Sequence, residues 1–171
     1  MKHSLKKCFL IGLAISAAVL FINPGICIAE EAEFEARVVV LPGGEYSYGT
    51  AVIGSKYTLF PSQALGQPDN QSATIMFKGS ITIQLGTTIS GTDTVSIWAT
   101  GGGLQSSSMY IYISETGKKW TLIGSQEIVS GEISRFDFTG SFGNVGYIRI
   151  ERGGWALSWL NLDAVGAKGG G

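Results

Sequence analysis

The chain has 171 residues, 44% of them hydrophobic and 15% charged, with a formal net charge of −1. That apolar content is too high, and the charge too low, for an intrinsically disordered chain. A chain of this length can close one hydrophobic core without covalent staples, and its two cysteines and single histidine leave little thiol or imidazole chemistry to draw on.

Lys2, Lys6 and Lys7 precede an uncharged run from Cys8 to Ile28, whose apolar centre ends at Ile22. A short basic segment followed by an apolar stretch of this length predicts a signal peptide. Pro24-Gly25 ends any helix there, and Ala29 supplies a small residue for cleavage before Glu30, with Cys27 three positions earlier. The alternatives are a retained membrane anchor, against which the short apolar centre argues, and a lipoprotein built on Cys27, whose preceding residues lack the usual pattern.

Removal of residues 1–29 would take away Cys8, Cys27 and His3 together. The remaining 142 residues would carry thirteen acidic and nine basic side chains, a net charge of −4. Such a chain lacks the basic footprint of a nucleic-acid binder. It cannot form Ser-His-Asp or Cys-His catalytic groups, or an imidazole or thiolate zinc site. Paired carboxylates are still available to a glycosidase, but Glu115, Glu127, Glu132, Asp137, Glu151 and Asp163 read as strand edges and turns. The expected protein is secreted or periplasmic, or associated with the cell surface, with no membrane span after processing and no catalytic role.

After residue 29 the pattern is that of strands. Phe34–Leu41 is the first β-prone run, ended by Pro42-Gly43-Gly44. Residues 45–70 read as irregular loops around one short strand or helical turn. Thr74–Phe77 and Ser80–Leu85 are predicted strands joined by a hairpin turn at Lys78-Gly79. In the second, Ile81, Ile83 and Leu85 share one face, as in a half-buried strand. Thr94–Trp98 buries Val95 and Ile97 by the same alternation. Ser108–Ser114 sets Met109, Ile111 and Ile113 against Tyr110 and Tyr112. Lys119–Ile123, Ile133–Thr139, Val145–Glu151 and Ala156–Ala167 complete the series, and Gly169–Gly171 form a flexible tail to a single domain spanning residues 30–168.

Eight or nine closely spaced strands without helical crossovers predict an all-β, two-sheet antiparallel β-sandwich, with a barrel as the alternative architecture.

The ordered series Ala64-Leu65-Gly66-Gln67-Pro68-Asp69, Ile81–Gly86, Gly91-Thr92-Asp93, Tyr112–Trp120, Tyr147–Ile150 and Leu162–Val165 resembles the discoidin-like, galactose-binding-like (jelly-roll) superfamily, in particular its small exported bacterial members. The resemblance spans Tyr46 to Ala167. It implies an early loop packed across the sandwich, Trp120 in the core, Tyr147–Ile150 as a central strand, and Leu162–Val165 as the closing strand. It also implies carbohydrate binding or cell-surface attachment, with calcium held in a loop near the chain ends in some members. For calcium, Asp69 and Asn70 are the candidate ligands, although the acid that several relatives carry after the closing strand is replaced here by Gly166-Ala167-Lys168.

Sugar sites combine flat aromatics with a few fixed polar groups. Trp155, flanked by Gly153-Gly154 and near the donor fork of Arg152, is the first candidate for a ligand-facing aromatic. Trp98 is a second, expected near the same rim, and Tyr110 and Tyr112 form an outward pair beside Tyr147. Each also has a structural reading, as a core cap or a cross-strand pair. The expected function is a noncatalytic module for a saccharide or cell-surface glycan. The alternative is a structural component whose partner is another exported protein or a second copy of itself, with the N-terminal strand exposed for pairing.

Overall fold

The computed structural model describes residues 45–170. The expected signal peptide, the strand Phe34–Leu41 and the Pro42-Gly43-Gly44 turn lie outside the described residues. Six strands are present: β1 (Ser47–Leu59), β2 (Ala73–Gly103), β3 (Ser107–Ser114), β4 (Thr121–Ile128), β5 (Ser134–Gly154) and β6 (Ser158–Gly169), with a 3-10 turn at Pro61–Ala64.

The named strands pair antiparallel in one hydrogen-bonded network, because three of them pass between two layers. In the first layer the middle of β2 (80–84) lies between β1 and the C-terminal half of β5, which in turn pairs with β3, and β3 with β4. In the second layer the last third of β2 (94–103) lies between the N-terminal half of β5 (134–139) and β6. The first residues of β2 (73–75) and of β1 (47–48) pair on the other edge of β6. This is the two-layer antiparallel sandwich expected from the alternation. Fewer strands are counted than eight or nine because neighbouring predicted strands are continuous runs of one bent chain.

The core follows the period of two. Ile81, Ile83, Ile111, Ile148 and Ile150 from the first layer and Val95, Ile97, Leu160, Leu162 and Val165 from the second are fully buried in one cluster. Burying each such side chain contributes about 1.5–3 kcal/mol. With cysteine absent from the described residues, the sandwich holds on this apolar layer.

Two sequence expectations are corrected here. Residues 45–70 are not mainly loop, since β1 covers thirteen of them. Register shifts at Gly49/Ala51, Val52/Gly54 and Lys56/Thr58 break its alternation, which hides the strand from a search for period two. Lys78-Gly79 is not a hairpin turn either. The residues on both sides pair with the same strand, Ile75 with Thr58 and Ser80 with Lys56, so Met76–Gly79 form a bulge opposite Tyr57 alone. Tyr57 and Lys78 both adopt left-handed backbone, φ 48° and 57°. Gly79 is required at this crossing. A Cβ there would lie 2.7 Å from the Met76 carbonyl oxygen and 2.8 Å from that of Tyr57.

Candidate functional site

The bulge builds an open concavity along the rim. Its turned backbone pushes Met76, Phe77 and Lys78 outward across from Tyr57 and Leu59, and all five side chains are exposed. Between them runs a groove of about 610 Å3, closed on one side by Ala156 of the β5–β6 turn. Trp155, next to Ala156, is 69% exposed. Non-glycine residues in the left-handed region are uncommon and concentrate at functional sites. Two of the four in the described residues, Tyr57 and Lys78, line this groove.

Arg152 occupies the floor of the rim in a way its sequence position did not suggest. It was expected to offer its donors to solvent beside Trp155. Instead it follows the inward phase of Ile148 and Ile150 and is 3% exposed. Its Nη2 donates to the Trp155 carbonyl oxygen and to Ser158 Oγ. Ser158 Oγ in turn lies 3.1 Å from Ser107 Oγ, forming a buried polar cap at this end of the core. Nε and Nη1 of Arg152 are buried with no hydrogen-bond partner among the described residues. Burial lowers the guanidinium pKa, since the charged form is separated from water. The Phe77 ring lies over it, 5.5 Å from Cζ.

Beside the groove is a second hollow of about 330 Å3, lined by Lys56, Lys78, Ser80, Arg149, Glu151 and Arg152. Glu151 is engaged by Arg149 in an ion pair. Tyr110 and Tyr112 lie on the outer face of the same layer, opposite Glu151 and Arg149 in register. The pair is therefore outward as expected, and Tyr112 stacks 5.9 Å from the Arg149 guanidinium. Burial and the nearby Glu151 carboxylate push the Tyr112 phenol upward. Trp120 is also on this face, half-buried with Arg149 5.8 Å from its ring, and not in the core. The Gly117 turn and the return into β4 leave it outside the sandwich, where the cation covers it.

Trp98 belongs to a different assembly. Its Cα is in register with Arg135 and Ala164 in the second layer. The ring packs against Tyr46 and Tyr48 with centroids 5.8 Å apart in both cases, and Arg135 lies 5.4 Å from it. Gly102, which pairs with Trp159 near the Trp155 turn, is four residues further on, ~13 Å along the strand. Trp98 is thus away from the rim that carries Trp155. Desolvation opposes ionisation of Asp137 beside this cluster, but hydrogen bonds from Arg135 and Ser96 outweigh it and hold the carboxyl below its usual range.

The calcium candidates close their own loop. The Asp69 carboxylate accepts from the Gln71 amide at 2.8 Å and from Gln71 Nε2 at 3.2 Å, while the Asp69 amide donates to buried Asp163 at 3.2 Å. Asn70 supplies a second amide to Asp163 from left-handed backbone, φ 66°. No group of three or more acidic side chains comes together among the described residues. Both Asp69 carboxylate oxygens are thus met by N–H donors.

No protein-family model and no curated protein sequence matches the chain. Solved structures do. A pectin-binding carbohydrate-binding module is 14% identical over 68% of this chain and 88% of its own, with a TM-score of 0.52. A family 32 module from a family 31 glycoside hydrolase of Clostridium perfringens is 14% identical over 68% of this chain and 94% of its own, TM-score 0.51. A family 29 carbohydrate-binding module is 8% identical over 74% and 90%, TM-score 0.52. At these identities the likeness shows the fold, which is the discoidin-like, galactose-binding-like β-sandwich.

Proposed function

We propose that the chain is an exported, noncatalytic ligand-binding module whose ligand is a saccharide, held at the rim groove lined by Ala156 and reached by the adjacent Trp155. The observation that carries this reading is the groove itself. Tyr57 and Phe77 offer aromatic surface in it, Lys78 and Thr58 offer polar groups, and the exposed Trp155 directly precedes the lining residue Ala156. Apolar C–H faces of a sugar ring stack on such aromatics while its hydroxyls find the polar partners. The carbohydrate-binding modules that share the fold support the ligand class.

The test is a glycan array probed with the protein, with and without calcium, and repeated with Trp155→Ala and Trp98→Ala. Binding that falls with Trp155→Ala and survives Trp98→Ala is expected. Loss only with Trp98→Ala would move the site to the Tyr46–Tyr48–Trp98 cluster. Absence of binding to every glycan, together with self-association in sizing experiments, would favour a structural component using its exposed apolar rim, Leu59 and Phe60 included.

A further inference from the structure

The hollow beside the groove carries an electrostatic demand that the fold does not meet. Four cations, Lys56, Lys78, Arg149 and Arg152, line it together with one acid, Glu151. Arg149 takes that acid, and among the described residues Lys56, Lys78 and Arg152 have no ion-pair partner. The whole chain has a net charge of −1, so this local excess is not a consequence of bulk composition. Like charges placed together repel, and a buried cation without full hydrogen bonding is costly.

Arg152 sharpens the demand into a shape. Nη2 is spent on the Trp155 carbonyl oxygen and Ser158, which locks the guanidinium plane. Nε and Nη1 are left with unmet N–H groups, on two different edges of that plane. Each can donate one charge-assisted hydrogen bond to an oxyanion oxygen. The Phe77 ring over the guanidinium is itself 39% exposed. Lys78, held outward by its left-handed backbone, and Lys56 across the bulge flank the entrance.

We infer that this hollow binds the oxyanion of an acidic saccharide, a carboxylate or sulfate group meeting an unmet Arg152 donor and the charges of Lys56 and Lys78 while the sugar ring lies in the aromatic groove. The inference rests on the saccharide reading and narrows it to anionic sugars.

The experiment is calorimetric titration of the protein at low salt with three polymers: polygalacturonate, a sulfated galactan and neutral galactan. Binding to either acidic polymer at least tenfold tighter than to the neutral one is expected, falling steeply with added salt. Lys78→Gln, at an exposed position, should weaken acidic binding several-fold, and Arg152→Met should abolish the preference for acid. Which acidic polymer binds identifies the oxyanion. Equal affinity for acidic and neutral polymers would overturn the anionic inference and leave the saccharide reading standing. No binding to any of the three, with no glycan found on an array, would overturn both. Acid-selective binding unchanged in Lys78→Gln and in Arg152→Met would place the anion elsewhere and overturn the site.

Discussion

Nη2 of Arg152 donates to the carbonyl oxygen of Trp155, so the only buried cation among the described residues is tied to their most exposed tryptophan. The bond runs within one turn, three residues apart, and Ser158 N closes the same turn on Trp155 O at 3.4 Å. The indole therefore projects into solvent from a backbone fixed by the interior. A fixed platform loses little conformational entropy when a ligand settles on it, which is the advantage of presenting an aromatic this way.

Trp155→Ala should separate binding from folding. A side chain 69% exposed contributes little to the core, and the Arg152 bond reaches the backbone, which alanine retains. Stability is expected to stay within about 0.5 kcal/mol of the parent in urea titration, while saccharide affinity falls at least tenfold. A stability loss above that range would show that the indole caps the core.

Arg152→Met should have opposite effects on stability and on binding. The substitution fills the same space, removes a desolvated charge and removes two unmet donors. Its cost is the pair of bonds from Nη2. Replacing buried charge with packed apolar volume is often neutral or stabilising, by about 1–4 kcal/mol. The free protein is expected to be as stable as the parent or more so by thermal denaturation, with its acidic-ligand binding lost. A markedly lowered midpoint would mean that anchoring the Trp155 turn is worth more than relieving the buried charge.

What was legible in the sequence follows from period two. Alternation alone places Ile81, Ile83, Met109, Ile111 and Ile113 on the core face, and applied to Val145–Glu151 it adds Ile148 and Ile150; all are buried. The same rule, extended two residues past Ile150, would have put Arg152 inside, but its charge and the neighbouring glycines argued for solvent. Only the serine cap of Ser107 and Ser158, assembled from two other strands, makes the inward position tenable. The groove was illegible for a different reason. It depends on a bulge that opposes four residues to one, and neither Tyr57 nor Lys78 belongs to a residue type that signals left-handed backbone. Gly79 was the available signal, and it suggested a turn when the chain needed a close crossing.

Gly79→Ala tests whether that crossing builds the groove. The added methyl would meet two backbone carbonyl oxygens at 2.7 and 2.8 Å and Ile75 Cγ2 at 2.8 Å. Backbone cannot yield as a flexible side chain does, so the bulge must open, at about 1–3 kcal/mol. A lower urea midpoint is expected together with weakened saccharide binding, because Met76, Phe77 and Lys78 are displaced together. Unchanged stability and binding would show that the bulge relaxes freely and does not set the groove.

Asp163→Asn tests the loop closure at the middle of β6, and its sign can be worked out. Burial raises the Asp163 carboxyl above its ordinary range, and the neighbouring Asp69 carboxylate adds to the rise, against hydrogen bonds from the amides of Asp69 and Asn70. A folded-state pKa above the unfolded value of about 3.9 means that folding binds the proton more tightly. The favourable contribution is complete below the unfolded value and is lost as pH rises through the folded one. At neutral pH the ionised group is a standing cost. Asparagine keeps an acceptor oxygen for the Asp69 amide, 3.2 Å away in the parent, and cannot ionise. The variant should therefore have the higher urea midpoint at pH 7, with the gap narrowing as pH falls toward 4. A variant less stable at pH 7 would show that the carboxylate's bonds to the two amides outweigh its burial, and that the loop is held by charge after all.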